Sequence, residues 1–235
     1  MIENKFGMTK AELAALMDIS AVRADCSLED VREAAMLAGK FGCKCAVTLP
    51  YLTQDMKNFL AEFDLHNKVT LCGVAGFPFG GETTAQKVFG AKEMVALGCG
   101  EIDMVMNIGA FKSGRYDHVA EDIRAVKEAC GDAALKVIIE TGYLSDEEIP
   151  RASELVCKGG ADFVKTSTGF VPARPTNLHM IKIIKQTIGD AAKIKAAGGV
   201  RGLSLLLSMK DAGACRFGLN PKAATAIFNE FEVLQ

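Results

Sequence analysis

The sequence predicts a single (β/α)8 TIM barrel spanning residues 1–235, with a short N-terminal helix ahead of the first strand. Three observations point there. Eight short apolar runs alternate with polar stretches of helical periodicity. Their centres recur roughly every 22–34 residues, the length of one βα unit. No linker or low-complexity break divides the 235 residues. A doubly wound open sheet is the competing fold, but it wants fewer strands, and no G-x-G-x-x-G follows the first strand.

The elements follow in order. Thr9-x-x-Glu12 can start the N-terminal helix, because a threonine hydroxyl caps the first turn and a glutamate returns the bond. Leu16–Ser20 is the first strand. Ser27-x-x-Asp30 starts a helix whose apolar face reads Leu28, Val31, Ala35 and Ala38. Strands at Cys45–Leu49 and Val69–Ala75 come next, and Thr83-x-x-Gln86 starts another helix. Strand Ile102–Ile108 leads into a helix with Val119, Ile123, Val126 and Cys130 on one face. Ala134–Glu140 is the fifth strand, and Ser145-x-x-Glu148 signals the next helix start. Ala161–Lys165, Ala192–Ala197 and Ala214–Leu219 complete the eight.

Composition excludes several classes. Apolar residues make up 49% and the net charge is −2, as expected of an ordinary soluble globular protein. Neither a basic excess for nucleic acid nor a basic amphipathic stretch for a membrane is present. Met1-Ile2-Glu3-Asn4-Lys5 lacks the apolar run of a secretory leader, and no apolar stretch is long enough for a bilayer, so a cytoplasmic location is expected. The eight cysteines show no C-x-x-C spacing and are expected to be reduced, mostly buried thiols. None of the three histidines falls in a metal-ligand pattern, so neither a metal nor another cofactor is expected.

Two lysines stand out. Lys165 and Lys195 each close an apolar segment with a glycine just beyond, in Ala161-Asp162-Phe163-Val164-Lys165-Thr166-Ser167-Thr168-Gly169 and Lys193-Ile194-Lys195-Ala196-Ala197-Gly198-Gly199. A charge in a buried parallel strand is expensive unless it has a task or a partner. If the two strands are neighbours, about 4.8 Å apart, one ammonium disfavours protonation of the other amine. A neutral lysine is a nucleophile able to form a Schiff base with a carbonyl.

Alternation along a strand shows which other charges join them. In Glu101–Asn107 the apolar Ile102, Met104 and Met106 suit the helix layer, which turns Asp103, Val105 and Asn107 inward. In Leu135–Glu140 the same logic turns Lys136, Ile138 and Glu140 inward, with Lys136–Glu140 read as a structural ion pair. Asp18 joins at the end of the first strand. Lys193 shares the parity of Lys195 but comes earlier, and is expected to reach solvent at the bottom of the barrel.

The segments EIDMVMNIGAFKSGRYD, LKVIIET, GADFVKTSTGF and IKAAGGVR, in this order, closely resemble the deoxyribose-phosphate aldolase family. LMDIS, GVAGFPFG and SLEDVREAA extend the resemblance over nearly the whole chain. It implies a metal-independent class I aldolase on a (β/α)8 barrel, which reversibly cleaves 2-deoxyribose 5-phosphate to glyceraldehyde 3-phosphate and acetaldehyde. By motif, Lys165 is then the Schiff-base lysine, Lys195 the cation that lowers its pKa, and Asp103 the proton-transfer group. Asp18 and Ser20 would orient substrate hydroxyls, and Lys136 would hold Asp103. Thr166, Gly169, Gly198, Gly199, Gly218 and Asn220 would complete the substrate site.

Two departures bear on the substrate. Arg216-Phe217-Gly218-Leu219-Asn220-Pro221-Lys222 keeps the glycine of the family's phosphate grip but has Asn220 and Pro221 where two serines are usual. Proline offers no N–H, so a phosphate donor is lost, with Arg174 and Lys222 as candidate replacement cations. Cys45-Ala46-Val47-Thr48-Leu49-Pro50 also differs from the family's usual cysteine and polar residue before that proline. Alternatives are therefore an aldolase or other imine-forming enzyme (a transaldolase or a dehydratase) acting on a different or unphosphorylated sugar, and a non-catalytic sugar-binding barrel. The expected partner is a small-molecule sugar or sugar phosphate, not nucleic acid or membrane, and a homodimer through surface helices is expected.

Overall fold

In the computed structural model, which describes residues 7–234, eight parallel strands close into a barrel in simple sequential order. Met1–Lys5, read above for a leader, lies outside the described residues. Helix α1 (Lys10–Ala15) precedes β1 (Met17–Ala21) and α2 (Leu28–Phe41). Then come β2 (Cys45–Thr48), α3 (Thr53–Glu62), β3 (Thr70–Ala75), α4 (Thr84–Ala96) and β4 (Glu101–Val105). Two helices follow, α5 (Ile108–Lys112) and α6 (Tyr116–Cys130), before β5 (Ala134–Ile138), α7 (Glu148–Lys158) and β6 (Phe163–Lys165). Helix α8 (Leu178–Ile188), β7 (Lys193–Ala197), α9 (Leu203–Asp211), β8 (Arg216–Leu219) and α10 (Pro221–Val233) complete the ring.

Three helix starts form as the local sequence dictates. Thr9, Ser27 and Thr83 each cap a helix through the hydroxyl, and their own N–H groups donate back to the side chains of Glu12, Asp30 and Gln86. Ser145 behaves differently. Its N–H donates to the Glu148 carboxylate at 2.7 Å, and α7 begins only at Glu148, without a side-chain cap. The face predicted for α6 is buried throughout, whereas Leu28, in the first turn of α2, is 53% exposed and falls off that helix's buried stripe.

The pleat divides the barrel in two. Met17, Ile19, Ala46, Ile102, Met104, Leu135, Val137, Val164, Ile194 and Phe217 face outward into one continuous core with the helices. On the inner face, Cys45, Val47, Cys72 and Val74 form a separate apolar wall contributed by β2 and β3. The charged inner positions belong to the other strands.

Strands β2, β4 and β5 end earlier than their apolar runs suggest, β4 and β5 by two or three residues. Strand β4 stops at Val105 because Asn107 caps α5, its Oδ1 accepting the Ala110 N–H at 2.9 Å, so Asn107 is a helix cap rather than a lumen-wall residue. Strand β5 stops at Ile138, and Glu140 adopts a left-handed backbone with φ +51°. That turn points its carboxyl group at the loop after β6, where it accepts from the Ser167 and Thr168 hydroxyls and the Thr168 N–H. The expected Lys136–Glu140 pair does not form, because Lys136 engages acidic groups of β4 instead.

Candidate active site

Seven charged residues meet in the lumen, none more than 8% exposed: the carboxylates Asp18, Glu101 and Asp103, and the cations Lys136, Lys165, Lys195 and Arg216. Strand register brings the central ones together. Asp103 pairs in register with Lys136 across β4–β5, and Lys165 with Lys195 across β6–β7.

Asp103 is the hub. Its Oδ2 accepts from Lys165 Nζ at 2.6 Å and from Lys195 Nζ at 2.8 Å, while Oδ1 accepts from Lys136 Nζ at 2.8 Å. Lys195 also lies 2.6 Å from Asp18 Oδ2, and Lys136 lies 2.6 Å from Glu101 Oε2. Arg216 closes the network from the N-terminal end of β8, with Nη1 at 2.8 Å from Asp18 Oδ1 and 3.1 Å from Glu101 Oε2.

The environments separate the lysines. Burial weakens the hold of Lys165 on its proton, and the Lys195 and Lys136 cations weaken it further against the opposing pull of Asp103. Lys195 moves the other way. Burial disfavours its charge too, but Asp103 and Asp18 outweigh burial and raise its pKa. Lys136 is raised well above the ordinary lysine value, again against burial, chiefly by Asp103. Burial alone would raise the pKa of Asp18, yet Lys195, Lys136 and Arg216 hold it at about 2. The same balance keeps Asp103 well below the usual carboxylate range, its cations being Lys136, Lys165 and Lys195.

A cavity of about 480 Å³ opens onto this cluster at the C-terminal ends of the strands. Lys165, Lys195 and Asp103 reach its floor, and Val22, Val47, Val74 and Phe77 line one side. Ser20 lines it as well, donating to the Leu219 carbonyl at 3.1 Å. Gly169, Gly198, Gly199, Gly218 and Asn220 all border it. Gly198 and Gly199 take φ +77° and +129°, and a Cβ on Gly198 would sit 2.7 Å from Ser167 Oγ. At Gly218 a Cβ would come within 3.3 Å of Lys195 Cε, so this glycine makes room for the lysine.

Three residues assigned to the substrate by motif lie below the cavity surface. Asp18 and Lys136 are fully buried in the ion network. Thr166 is buried with its hydroxyl donating to the Ala197 carbonyl and accepting from Thr176 Oγ1, which ties the end of β6 to β7.

The cationic end of the cavity also differs from expectation. Arg174 is turned away, bonded to Asp146 and the Thr141 carbonyl. Lys222 lines an adjoining surface groove along α10, which shares Ser20, Arg23 and Asn220 with the cavity. Arg23 and Arg201 border the cavity instead. Arg23 is paired with Asp25 and Asp30, whereas Arg201 is exposed and has no ion pair among the described residues. Asn220 caps α10, its Oδ1 accepting from Ala223 N–H at 2.8 Å, with Pro221 in the first turn. That carbonyl oxygen is occupied within the protein.

Glu101 and Arg216 were not among the inward residues singled out from the sequence. Both carried a usable signal: Glu101 shares the parity of Asp103, and Arg216 shares that of Gly218. Asp18, Cys45 and Glu101 place possible metal-ligand atoms within 4.8 Å of one another. Arg216 Nη1 sits among these atoms, 3.5 Å from Cys45 Sγ, so a cation of the protein already fills that cluster. All eight cysteines are free thiols, with Cys157 half-buried and Cys215 exposed. No helix among the described residues is long and apolar enough to cross a membrane.

A closed (β/α)8 barrel with titratable side chains gathered under a cavity at the C-terminal ends of its strands is the arrangement of a barrel enzyme. Comparison with known proteins narrows this to a lyase. A sequence model described as DeoC/LacD family aldolase matches residues 8–219, and the chain belongs to that aldolase family. It is 40% identical over 223 residues to the deoxyribose-phosphate aldolase of Rhizobium meliloti (strain 1021), covering 95% of this chain and 88% of that one. The deoxyribose-phosphate aldolase of Methanothermobacter thermautotrophicus is 41% identical over 210 residues, 89% of this chain and 92% of the relative. Among solved structures, the aldolase QR15 superposes with a TM-score of 0.85 at 36% identity, over 94% of this chain and 96% of its own. The tetrameric deoxyribose phosphate aldolase of Aeropyrum pernix gives a TM-score of 0.83 at 25% identity, over 97% and 94%.

Proposed function

We propose that this chain is a class I aldolase that reversibly cleaves 2-deoxyribose 5-phosphate through an imine on Lys165. One observation carries the reading: among the four luminal cations, Lys165 alone has its proton affinity lowered, and it reaches the floor of the cavity.

The chemistry follows from the positions. The neutral Lys165 amine attacks C1 of the open-chain aldehyde, and loss of water gives a protonated imine. Removal of the proton from the C3 hydroxyl breaks the C2–C3 bond. The bonding pair moves to C2 to form an enamine, and glyceraldehyde 3-phosphate leaves with the new carbonyl. Protonation at C2 and hydrolysis then release acetaldehyde and restore the amine. Asp103, which reaches Lys165 and Lys195 through one oxygen, takes the C3 hydroxyl proton as the C2–C3 bond breaks and returns it to C2 of the enamine. Lys195 keeps its charge and holds Asp103 ionised.

The phosphate is taken by the glycine-lined end of the cavity, where Arg201 supplies the free cation and the Gly198–Gly199 turn lets the backbone approach closely. The test is borohydride reduction in the presence of 2-deoxyribose 5-phosphate, followed by peptide mapping. Stable mass is expected on the peptide carrying Lys165 and none after Lys165→Ala. Mass on Lys195 with Lys165 unmodified would reverse the assignment.

A further inference from the structure

Arg216 opens β8 at the end of the lumen away from the cavity, and is not part of the cavity lining. Its guanidinium lies 5.5 Å from the Phe163 ring centroid, with Asp18 on one side and Glu101 on the other. It is too deep to touch substrate, yet every route from it leads to the catalytic amines.

Counting charges shows why that matters. Lys165 on β6 faces Asp103 and Glu101 from β4, Asp18 from β1, Lys136 from β5, Lys195 from β7 and Arg216 from β8. The thiols of Cys45 and Cys72, from β2 and β3, are kept neutral by burial. Three carboxylates therefore meet four cations, and full ionisation would leave one excess positive charge in a buried space. Such an excess is costly, and the cation with the weakest set of partners relieves it by losing a proton.

The distances identify that cation. Lys136 has Glu101 at 2.6 Å and Asp103 at 2.8 Å; Lys195 has Asp18 at 2.6 Å and Asp103 at 2.8 Å. Arg216 has Asp18 at 2.8 Å and Glu101 at 3.1 Å. Lys165 has Asp103 alone, at 2.6 Å, and shares that oxygen with Lys195.

We propose that Arg216 is a positioning residue for the aldol chemistry: by occupying Asp18 and Glu101 from below, it leaves Lys165 as the surplus cation that gives up its proton. The proposal rests on Lys165 being the imine-forming lysine. Without Arg216, three carboxylates would face three lysines. Asp18 and Glu101 would then act on Lys195 and Lys136 without competition, and Lys165 would keep its proton to higher pH. Removing a carboxylate has the opposite sign, because two surplus cations would remain.

The experiment compares the full chain with Arg216→Gln, Arg216→Lys, Glu101→Gln and the double variant Arg216→Gln/Glu101→Gln. For each, the rate of borohydride trapping with acetaldehyde is followed from about pH 5 to about pH 10, a range that brackets a lowered lysine pKa. The same pH series is run for kcat/KM on 2-deoxyribose 5-phosphate, and circular dichroism reports folding. Arg216→Gln is expected to move both midpoints up by about one unit, with roughly tenfold slower trapping at neutral pH. Arg216→Lys should bring the midpoint back toward the parent value. Glu101→Gln should move it down, and the double variant, again with one surplus cation, should fall between the single changes. A purely structural role would lower rates without moving midpoints. If Arg216→Gln alone fails to fold, the rise in midpoint from Glu101→Gln to the double variant, which removes Arg216, decides the matter. Unmoved midpoints in Arg216→Gln or Glu101→Gln, or a rise in Glu101→Gln, would overturn the role of Arg216 while leaving the aldolase intact. Absence of trapping at Lys165 in the parent chain would instead overturn the Schiff-base reading on which it rests.

Discussion

Lys165 and Lys195 are register partners on adjacent strands, and both amines reach the same oxygen of Asp103, at 2.6 and 2.8 Å. Their symmetry ends there, because Lys195 has a second carboxylate in Asp18 and Lys165 does not. Two chemically identical side chains are thereby driven apart in proton affinity, one toward a neutral nucleophile and the other toward a permanent cation.

Replacing Lys195 by Leu tests this division directly. With the cation gone and Asp18 and Asp103 relieved of a partner, Lys165 holds its proton more tightly. The acid limb of the kcat/KM profile should rise by about two pH units, with turnover at neutral pH down about 100-fold. A pH profile identical to that of the parent chain, at normal turnover, would reduce Lys195 to a structural part.

Asp103→Asn separates imine formation from proton transfer. Asp103 pulls the Lys165 pKa upward, so its loss should shift borohydride trapping to lower pH while trapping at Lys165 persists. The full cleavage reaction should lose about 10²- to 10⁴-fold in kcat, the usual scale for a missing general acid–base group. Parallel loss of trapping and turnover would place Asp103 in imine formation alone.

The anion end predicts a contrast among four arginine and lysine variants. Arg201→Ala should raise KM for 2-deoxyribose 5-phosphate by about tenfold or more, the loss of one charge-assisted hydrogen bond of ~1.5–3 kcal/mol. Unphosphorylated 2-deoxyribose should be far less affected. Arg23→Ala should have a smaller effect, since Asp25 and Asp30 already neutralise Arg23. Arg174→Ala and Lys222→Ala should leave the phosphorylated sugar's KM in place, because neither side chain borders the cavity. An increase confined to Arg174→Ala or Lys222→Ala would show the phosphate sitting elsewhere.

Stability should fall in acid with a definite sign. The Asp18 carboxyl stands at about 2 in the folded chain, against an ordinary value of 3.8. A depressed folded value stabilises the fold above the unfolded pKa and is lost as pH falls through the folded one. Asp18 accordingly contributes about 2 kcal/mol at neutral pH, which disappears between about pH 4 and about pH 2. Asp103 and Glu101, both lowered, add losses of the same sign. Urea unfolding across this range should show the decline, and Asp18→Asn should flatten part of it. A constant unfolding free energy from pH 5 to 2 would contradict the ion network.

Much of this was readable residue by residue. The caps at Thr9, Ser27 and Thr83 act within a single turn, and the alternation that turned Asp103, Lys136, Lys165 and Lys195 inward needs only a strand's period of two. Strand ends were harder to read. Apolar residues run past the last ladder bond in both β4 and β5, so hydropathy carried the strands through Asn107 and Glu140, where a helix cap and a left-handed turn intervene.

The sequence by itself determined which strand faces are apolar, where the helices capped by Thr9, Ser27 and Thr83 start, and which strand ends carry lysines. Tertiary structure alone decided the partners. Lys136 bonds to Glu101 and Asp103 instead of Glu140, Arg216 reaches Asp18 from 198 positions away, and Arg201 borders the cavity in place of Arg174. The reason is physical. A side chain's face follows from its own strand, but the energy between charges in a lumen of low effective dielectric varies inversely with their separation. Those separations exist only once eight strands have closed with one particular stagger.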